Sequence, residues 1–408
     1  MSAPGLILLL LAGCASGVRQ APPGPLDSVA ARAAGIPEVR FRPVFETPTG
    51  EEGQLVAGVP GGRWDEGLAA ACRELLTLHV ERGSRIDAPT ASLVAARAGY
   101  PGQVRFVRAL SGGSLPESLL AELASAVAEG PGVDLGMASR RFDDGSAMWV
   151  VAWSQPLARL DPIPRDIALD TPLPLRVELL DPQWKGAELR LFLAPPMGKV
   201  EEISLTEGVS RWVDRFHTPG EHRLEVVATR DSQTQVVLLF SVFVDQPAPA
   251  PAPLGLPPAS VEHPIEAEAR LLAELNQLRL RHGLAPVTAW PLFEPLVREH
   301  SALMASVGRA VHELPGRFER VGTRARSYAF PFAFHHQAVA TAPTSAEAMS
   351  LVIDSPAHLQ TLLCEACTHA TIGVALEPVL DRAPRLFVTW ELMEFPKGPP
   401  KLLDSLDR

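Results

Sequence analysis

The stretch Ile353–Leu363, IDSPAHLQTLL, has the features of a helix start. A serine side chain can cap a helix, and proline fits the first turn, where no amide donor is needed. The pair Ser355-Pro356 therefore predicts a short helix with His358 in its first turn. Three leucines at helical spacing predict an apolar face that packs inward. A histidine at this position is a candidate base, a candidate metal ligand or a plain helix-start residue. Which of these roles His358 has depends on the residues that accompany it elsewhere in the chain.

Composition and charge limit the classes of protein that this chain can belong to. Its 408 residues predict several domains, and 46% hydrophobic with 21% charged residues is the balance of a globular protein. With 37 basic against 47 acidic residues the net charge is −10, and no basic run is present. This charge argues against nucleic acid as a partner. No apolar stretch reaches the roughly 18 residues that a membrane-spanning helix needs.

The N-terminus has the features of an export signal. Leu6–Leu11, LILLLL, is too short to span a membrane and fits the apolar part of a signal peptide. Leu11–Cys14 resembles the lipobox of bacterial lipoproteins, although Met1–Gly5 lacks the usual Lys or Arg. The resemblance implies that residues 1–14 end in a lipidated Cys14, whose acyl chains (palmitate among them) anchor the protein to a membrane. Ala15, rather than Asp, implies the outer membrane of a Gram-negative bacterium.

Two proline-rich segments divide the mature chain. Residues 15–54 include APPGP and are interpreted as a tether with a poorly defined segment, and residues 246–259 as a semi-rigid linker. Between them, residues 164–245 hold short runs rich in Val, Leu and Phe, separated by turn signals. This pattern predicts an all-β, immunoglobulin-like sandwich that acts as a spacer. His217 and His222 flank a Pro-Gly turn there, and we expect both at the surface.

After the linker, the periodicity becomes helical. Leucines at steps of three and four residues predict one helix that ends at His282-Gly283, and a second helix is predicted over Leu292–Val307. His300 lies on or beside the apolar face of the second helix, so we expect it to pack in or near the core.

Six segments in this part of the chain, taken in order, resemble bacterial CAP domains (SCP-like; cysteine-rich secretory protein, antigen 5, pathogenesis-related 1). They are Leu272–Val287, Val311-His312, Arg317–Gly322, Ser355–His358, Thr368–Ala375 and Phe387–Trp390. The resemblance covers residues 260–396 and leaves residues 397–408 as a C-terminal tail. It implies an α-β-α sandwich with a cleft framed by His312 and His358, in an extracellular protein. For the whole chain we expect an α+β multidomain fold.

The cleft departs from the family at one chemically important position. Gln337 stands where many members have a glutamate, and glutamine can serve neither as a general base nor as an anionic metal ligand. His312 and His358 remain candidates for catalysis or for zinc, with His335 or His336 as a third ligand. We therefore expect a binding protein for an envelope lipid, peptidoglycan fragment or protein. The alternatives are a metal-assisted hydrolase that uses His312 and His358, and a purely architectural protein.

Cys364 and Cys367 have the Cys-x-x-Cys spacing of a redox motif. They follow the helix that starts near Pro356, however, whereas a reactive cysteine is favoured at a helix N-terminus. A local structural disulfide and two buried thiols both stay open. We do not expect zinc at this pair, because no second close pair of ligands is present in the sequence.

The block from residue 55 to 160 resembles the C-terminal block in spacing. Gly136 and Gly373 are 237 positions apart, and so are Trp153 and Trp390. We interpret residues 55–160 as a degenerate second CAP-like domain. Its predicted equivalent of the His358 helix, PESLLAELASAVAEG, contains no histidine.

Overall fold

The computed structural model has a mixed α+β fold, which confirms the predicted class at that level. Its described residues contain eight α-helices and several separate sheets. The lipobox-like segment, most of the proline linker and the CAP-like segment Arg317–Gly322 lie outside them. The structure describes residues 50–82, 86, 88–112, 114–128, 132–161, 163–209, 211–231, 233–249, 262–313, 334–377, 384–395 and 398.

The first part of the chain builds a four-stranded sheet, here called the N-terminal sheet. Its strand order is β1-β3-β4-β2, with β1 parallel to β3 and the other neighbours antiparallel. Apolar residues on β3 and β4 are buried against the helices on both faces. The elements are α1 Gly50–Gly58, β1 Gly62–Trp64, α2 Glu66–Arg82, α3 Ala88–Ala98, β2 Phe106–Gly112, α4 Glu117–Ala128, β3 Val133–Arg141 and β4 Ala147–Ser154.

The central part is built from strands, as its turn-separated apolar runs predict. A five-stranded sheet has the order β10-β9-β12-β13-β6, and two small sheets pair β11 with β7 and β5 with β8. Buried Val, Leu and Phe side chains form one core between them. The strands are β5 Ala158–Leu160, β6 Asp166–Ile167, β7 Leu173–Leu175, β8 Val177–Leu179, β9 Glu188–Ala194, β10 Glu201–Leu205, β11 Arg211–Val213, β12 Gly220–Arg230 and β13 Gln233–Val244.

The surface position expected for His222 is wrong. Its side chain is fully buried and packs edge-on against Phe216. The burial lowers the pKa of His222. The turn at Pro219-Gly220 leads directly into β12, whose inward-facing positions include His222. His217, by contrast, is exposed and lies 2.7 Å from Asp170.

The last part builds a second four-stranded sheet, the C-terminal sheet, of order β14-β16-β17-β15. The short helix at Ile353–Leu363 begins at Pro356 as predicted, and the Ser355 hydroxyl accepts the His358 amide at 3.3 Å. His300 is buried, as expected. The elements are α5 Pro264–Arg281, β14 Thr288–Ala289, α6 Glu294–Val307, β15 Phe334–Ala342, α7 Ser345–Asp354, α8 Pro356–Leu362, β16 His369–Leu376 and β17 Leu386–Glu394.

The N-terminal and C-terminal sheets share one topology. In the N-terminal sheet, the short β1 is parallel to β3, and β4 is antiparallel to both β3 and β2. In the C-terminal sheet, the short β14 is parallel to β16, and β17 is antiparallel to both β16 and β15. Gly136 pairs with Ala152 and Gly373 with Thr389, so both partners also lie 237 positions apart. The sequence offset thus joins equivalent positions of two similar sheets.

Each of these two glycines lets a helix approach a strand closely. A Cβ at Gly373 would lie 2.6 Å from the backbone carbonyl carbon of Val297 on α6, and one at Gly136 would collide with the backbone of Leu68 on α2. Only a residue without a side chain fits such a contact. This contact seats the first turn of α6 on β16, and His312 follows the other end of the same helix.

Among the described residues, no helix is both long and apolar enough to cross a lipid bilayer.

We expect Gly373→Ala to destabilise the C-terminal sheet by about 2–3 kcal/mol, because the added methyl group meets helix backbone that cannot move aside. Urea unfolding followed by tryptophan fluorescence would measure the loss. Gly112→Ala is the matched control, since its nearest neighbour would lie 3.7 Å away, at ordinary contact distance. Equal stability of the two variants would contradict the tight contact.

Candidate functional site

His312 and His358 come together although 46 residues separate them in the sequence. His358 lies in the first turn of α8, and His312 lies in the segment after α6. Their ring centroids are 5.8 Å apart and both residues are partly exposed. The structure therefore brings together the two histidines that the sequence singles out.

Gln337 links His312 to a buried acid. Nδ1 of His312 lies 2.8 Å from Oε1 of Gln337, whose Nε2 donates to Oε1 of Glu391 at 2.8 Å. The carboxylate accepts, which orients the amide so that its oxygen faces His312. An amide oxygen only accepts, so Nδ1 of His312 carries a proton. When the ring is neutral, its lone pair is on Nε2.

Glu391 is a residue that the sequence reasoning missed. It is fully buried on β17, directly opposite Gln337 of β15 in the strand register. A glutamate inside the apolar run of LFVTWELME was the available signal, since a buried charge needs a partner. Gln337 thus does not end the polar chain. It passes a hydrogen bond on to an acid one strand further.

His300 positions His312 through its backbone. Its Nε2 lies 3.3 Å from the carbonyl oxygen of His312, and its Nδ1 lies 3.1 Å from Oγ1 of Thr389. A carbonyl only accepts, so His300 donates to His312. This buried histidine is therefore more than core filling: it holds the segment after α6 against β17.

His358 is a neutral imidazole over the ordinary pH range. Packing among protein atoms, together with the nearby His312, lowers the pKa of His358 to about 3. Two imidazolium charges at this separation would repel each other, so the two rings are not both in the imidazolium form at neutral pH. The site presents hydrogen-bonding groups and a lone pair, not a fixed positive charge.

The helix that carries His358 is anchored by the central β region. Glu225 of β12 is buried and accepts from Oγ of Ser355 at 2.8 Å and from the amide of Ala357 at 2.8 Å. A carboxylate at a helix N-terminus satisfies amide groups that have no partner within the helix. Glu225 was not predicted, because its partners are 130 residues or more away in the sequence.

A second contact lies immediately before this helix. Asp354 accepts from Nη1 of Arg223 at 2.8 Å and from Nη2 of Arg97 at 2.9 Å. Arg223 belongs to the central β region and Arg97 to α3 of the N-terminal part. One carboxylate therefore joins three parts of the chain next to His358.

His336 lies with the cysteine pair. Cys364 and Cys367 form a disulfide, and the ligating atoms of His336 and the two cysteines all lie within 4.8 Å of one another. Among the described residues, these three side chains are the group whose ligand atoms lie close enough together to hold a metal ion. His312 and His358 do not belong to this group. Zinc at His312 and His358 stays a prediction.

A cavity of about 200 Å³ lies at the opposite edge of the C-terminal sheet from β15. It is bounded by α5, α6 and β16, and its lining includes the ion pair of Glu268 with Arg298 at 2.6 Å. Trp290 forms part of the wall. The His312–His358 site is separate from this cavity.

Comparison with known proteins gives weak similarities. No protein-family model matches the sequence. No curated protein matches it either.

Solved structures similar to the chain include extracellular SCP proteins and a surface protein. An extracellular SCP-domain protein from Bacillus anthracis is 12% identical over 48% of this chain and 82% of that one, with a TM-score of 0.29. A cysteine-rich secretory protein from Staphylococcus aureus is 10% identical over 59% of this chain and 86% of that one, with a TM-score of 0.25. An outer surface protein from Borrelia burgdorferi is 18% identical over 32% of this chain and 92% of that one, with a TM-score of 0.27.

The Glu225 contact should depend on pH. Burial raises the pKa of Glu225 above its usual 4.5. As the pH rises above 4.5, the unfolded chain releases this proton before the folded protein does, so the contribution of Glu225 to stability falls. Glu225→Gln removes this titration. We therefore expect the stability of wild type relative to Glu225→Gln to decrease as the pH rises, measured by urea unfolding at several pH values.

The control is Glu188→Gln, an exposed strand residue whose substitution should change stability by less than about 0.5 kcal/mol at every pH. Glu225→Ala should cost about 3 kcal/mol, because the Ser355 hydroxyl and the Ala357 amide lose a buried acceptor. A pH-independent difference between wild type and Glu225→Gln would contradict the assignment.

Proposed function

We propose that this protein is an exported, lipid-anchored envelope protein whose C-terminal part binds an envelope ligand between His312 and His358. The observation that carries the proposal is the hydrogen-bonded chain from His312 through Gln337 to Glu391, which faces a second, neutral histidine. Such a chain holds His312 in one tautomer and one orientation. A fixed donor and acceptor pattern is what a binding site needs in order to recognise a polar ligand.

The charge of the site favours one of the three ligand classes. His358 stays neutral, and the whole chain carries a net charge of −10, so a phosphate headgroup meets little attraction here. Hydroxyl and amide groups pair well with neutral imidazoles, which both donate and accept. We therefore place peptidoglycan fragments, which are rich in both groups, ahead of lipids and proteins as ligand.

A metal-assisted hydrolase is the second candidate. The neutral His358 ring and the lone pair on Nε2 of His312 favour it, since both are the forms that bind a metal ion. Binding ranks higher because Gln337 lies between His312 and Glu391, the acid at the end of this series of hydrogen bonds. The amide of Gln337 cannot take up a proton from water, so it cannot act as the general base of a hydrolase. Zinc-dependent turnover of peptide and ester libraries, lost in a His312→Gln/His358→Gln variant, would support the hydrolase instead.

The anchor is proposed from the lipobox resemblance alone. Acylated Cys14 would hold the protein at a membrane surface through several chains, and export agrees with a chain that has an internal disulfide. The outer membrane of a Gram-negative bacterium is the proposed location.

We expect soluble peptidoglycan fragments to bind the full chain and His312→Gln/His358→Gln to weaken that binding about tenfold or more, because two ligand hydrogen bonds are lost. Isothermal titration calorimetry would measure both affinities, with phospholipid vesicles as the second probe. His217→Gln is the matched control, an exposed histidine in the central β region. Equal affinity of wild type and double variant would refute the site, and binding of vesicles alone would change the ligand class to lipid.

We expect Cys14→Ser to move the protein from the membrane fraction to the soluble fraction, because it removes the acylation site. Cys72→Ser is the control, since Cys72 is buried and offers no site for acylation. Fractionation and immunoblotting would measure the distribution. Membrane retention of Cys14→Ser at the wild-type level would exclude lipid anchoring at this residue.

A further inference from the structure

The loop between α8 and β16 places two sulfurs and an imidazole around one point. Cys364 follows α8, Cys367 precedes β16, and His336 is on the edge strand β15, which β17 separates from β16. Their ligating atoms lie within 4.8 Å of one another. Cys367 is buried, whereas Cys364 and His336 are partly exposed, so the group can be reached from solvent on one side.

Strand alternation explains why His336 joins the cysteines. Successive side chains of a strand point to opposite faces, so His336 and Gln337 leave β15 in opposite directions. Gln337 meets His312 on one face, and His336 meets the cysteine loop on the other. The two groups are chemically separate sites, although their residues are adjacent in the sequence.

The cysteine loop is held in shape by a buried cation. Arg279 of α5 is 1% exposed and donates to the carbonyl oxygens of Leu362 at 2.9 Å, Cys364 at 3.0 Å and Cys367 at 3.2 Å. These bonds hold both ends of the loop without using either sulfur. The loop therefore has a support that is independent of the disulfide.

Arg279 also supplies a charge that the oxidised loop does not balance. Among the described residues it forms no ion pair, and its hydrogen bonds go to backbone carbonyls. A disulfide is neutral, whereas two thiolates beside a buried cation are electrostatically favoured. This arrangement suits a cysteine pair that spends part of its time reduced.

We propose that the reduced Cys364–Cys367 pair and His336 form a thiol-gated site for Zn²⁺, which opens on reduction and closes on oxidation. A dithiol reductant breaks the S–S bond: the dithiol is oxidised to its own disulfide, and its two electrons and two protons leave Cys364 and Cys367 as thiols. Binding of Zn²⁺ then releases those two protons to solvent. Two thiolates and one imidazole suit zinc, with the fourth position left to water.

The site would sense the thiol–disulfide balance of its compartment. When the pair is oxidised, both sulfurs are bonded to each other and the three-ligand set no longer exists. Exchange with an external dithiol requires access, which the partly exposed Cys364 provides. This inference is independent of the ligand proposed for His312 and His358.

The test is zinc titration of the full chain before and after treatment with a phosphine reductant, with Co²⁺ as a spectroscopic probe of thiolate ligation. We expect the reduced protein to bind one Zn²⁺ per chain at least about a hundredfold more tightly than the oxidised protein, and to show thiolate-to-cobalt charge-transfer bands. This comparison needs no substitution, so failure to fold cannot explain a difference.

Variants assign the ligands. Cys364→Ser/Cys367→Ser should abolish the gain on reduction, and His336→Gln should reduce the affinity of the reduced protein about ten- to a hundredfold. Cys72→Ser, which removes a buried thiol elsewhere, and His217→Gln, which removes an exposed histidine of the central β region, should keep the wild-type gain. Equal zinc affinity of oxidised and reduced wild type overturns the proposal. So does a gain that survives in Cys364→Ser/Cys367→Ser.

Discussion

The buried carboxylate of Glu225 is the contact on which the arrangement of the candidate site depends. It accepts from the first turn of α8, the helix that carries His358, and it comes from a strand of the central β region. An ionised carboxylate is costly to bury unless donors satisfy it, and a helix N-terminus supplies such donors. The central β region is therefore more than a spacer, because it fixes the position of one of the two site histidines.

Successive residues of β15 lie on opposite faces of the C-terminal sheet, and this alternation separates two groups of polar side chains. Ala338 and Ala340 face the helices α5, α7 and α8, in the same cluster as the buried apolar residues of those helices, and His336 shares their parity. Gln337 and Val339 share the other parity, and Val339 packs in the cluster of Met304 on α6. An edge strand can thus serve two different sites with neighbouring residues, one hydrogen-bonded to an acid and one beside two sulfurs.

Local patterns predicted local structure well. Ser355-Pro356 predicted the start of α8, the two glycines marked equivalent sheet positions, and the apolar runs of the central part predicted strands. Partners distant in the sequence were not predictable: Glu391 pairs with Gln337 only because β15 and β17 are neighbours, and Glu225 reaches Ser355 across 130 residues. The position of His222 was misjudged for a related reason, since a turn residue indicates exposure only where the strand after it faces solvent.

The separation between Glu225 and its partners has a consequence for biogenesis. Ribosomes make Arg223 and Glu225 about 130 residues before Asp354 and Ser355, which at ~5–20 residues per second is a delay of about 6–26 seconds. During that interval the face of β12 that later receives α8 carries a carboxylate and a guanidinium that await their partners. The central β region therefore reaches its final surface only after Asp354, Ser355 and Ala357 have been synthesised, so that a segment of the C-terminal part completes the surface of the middle of the protein.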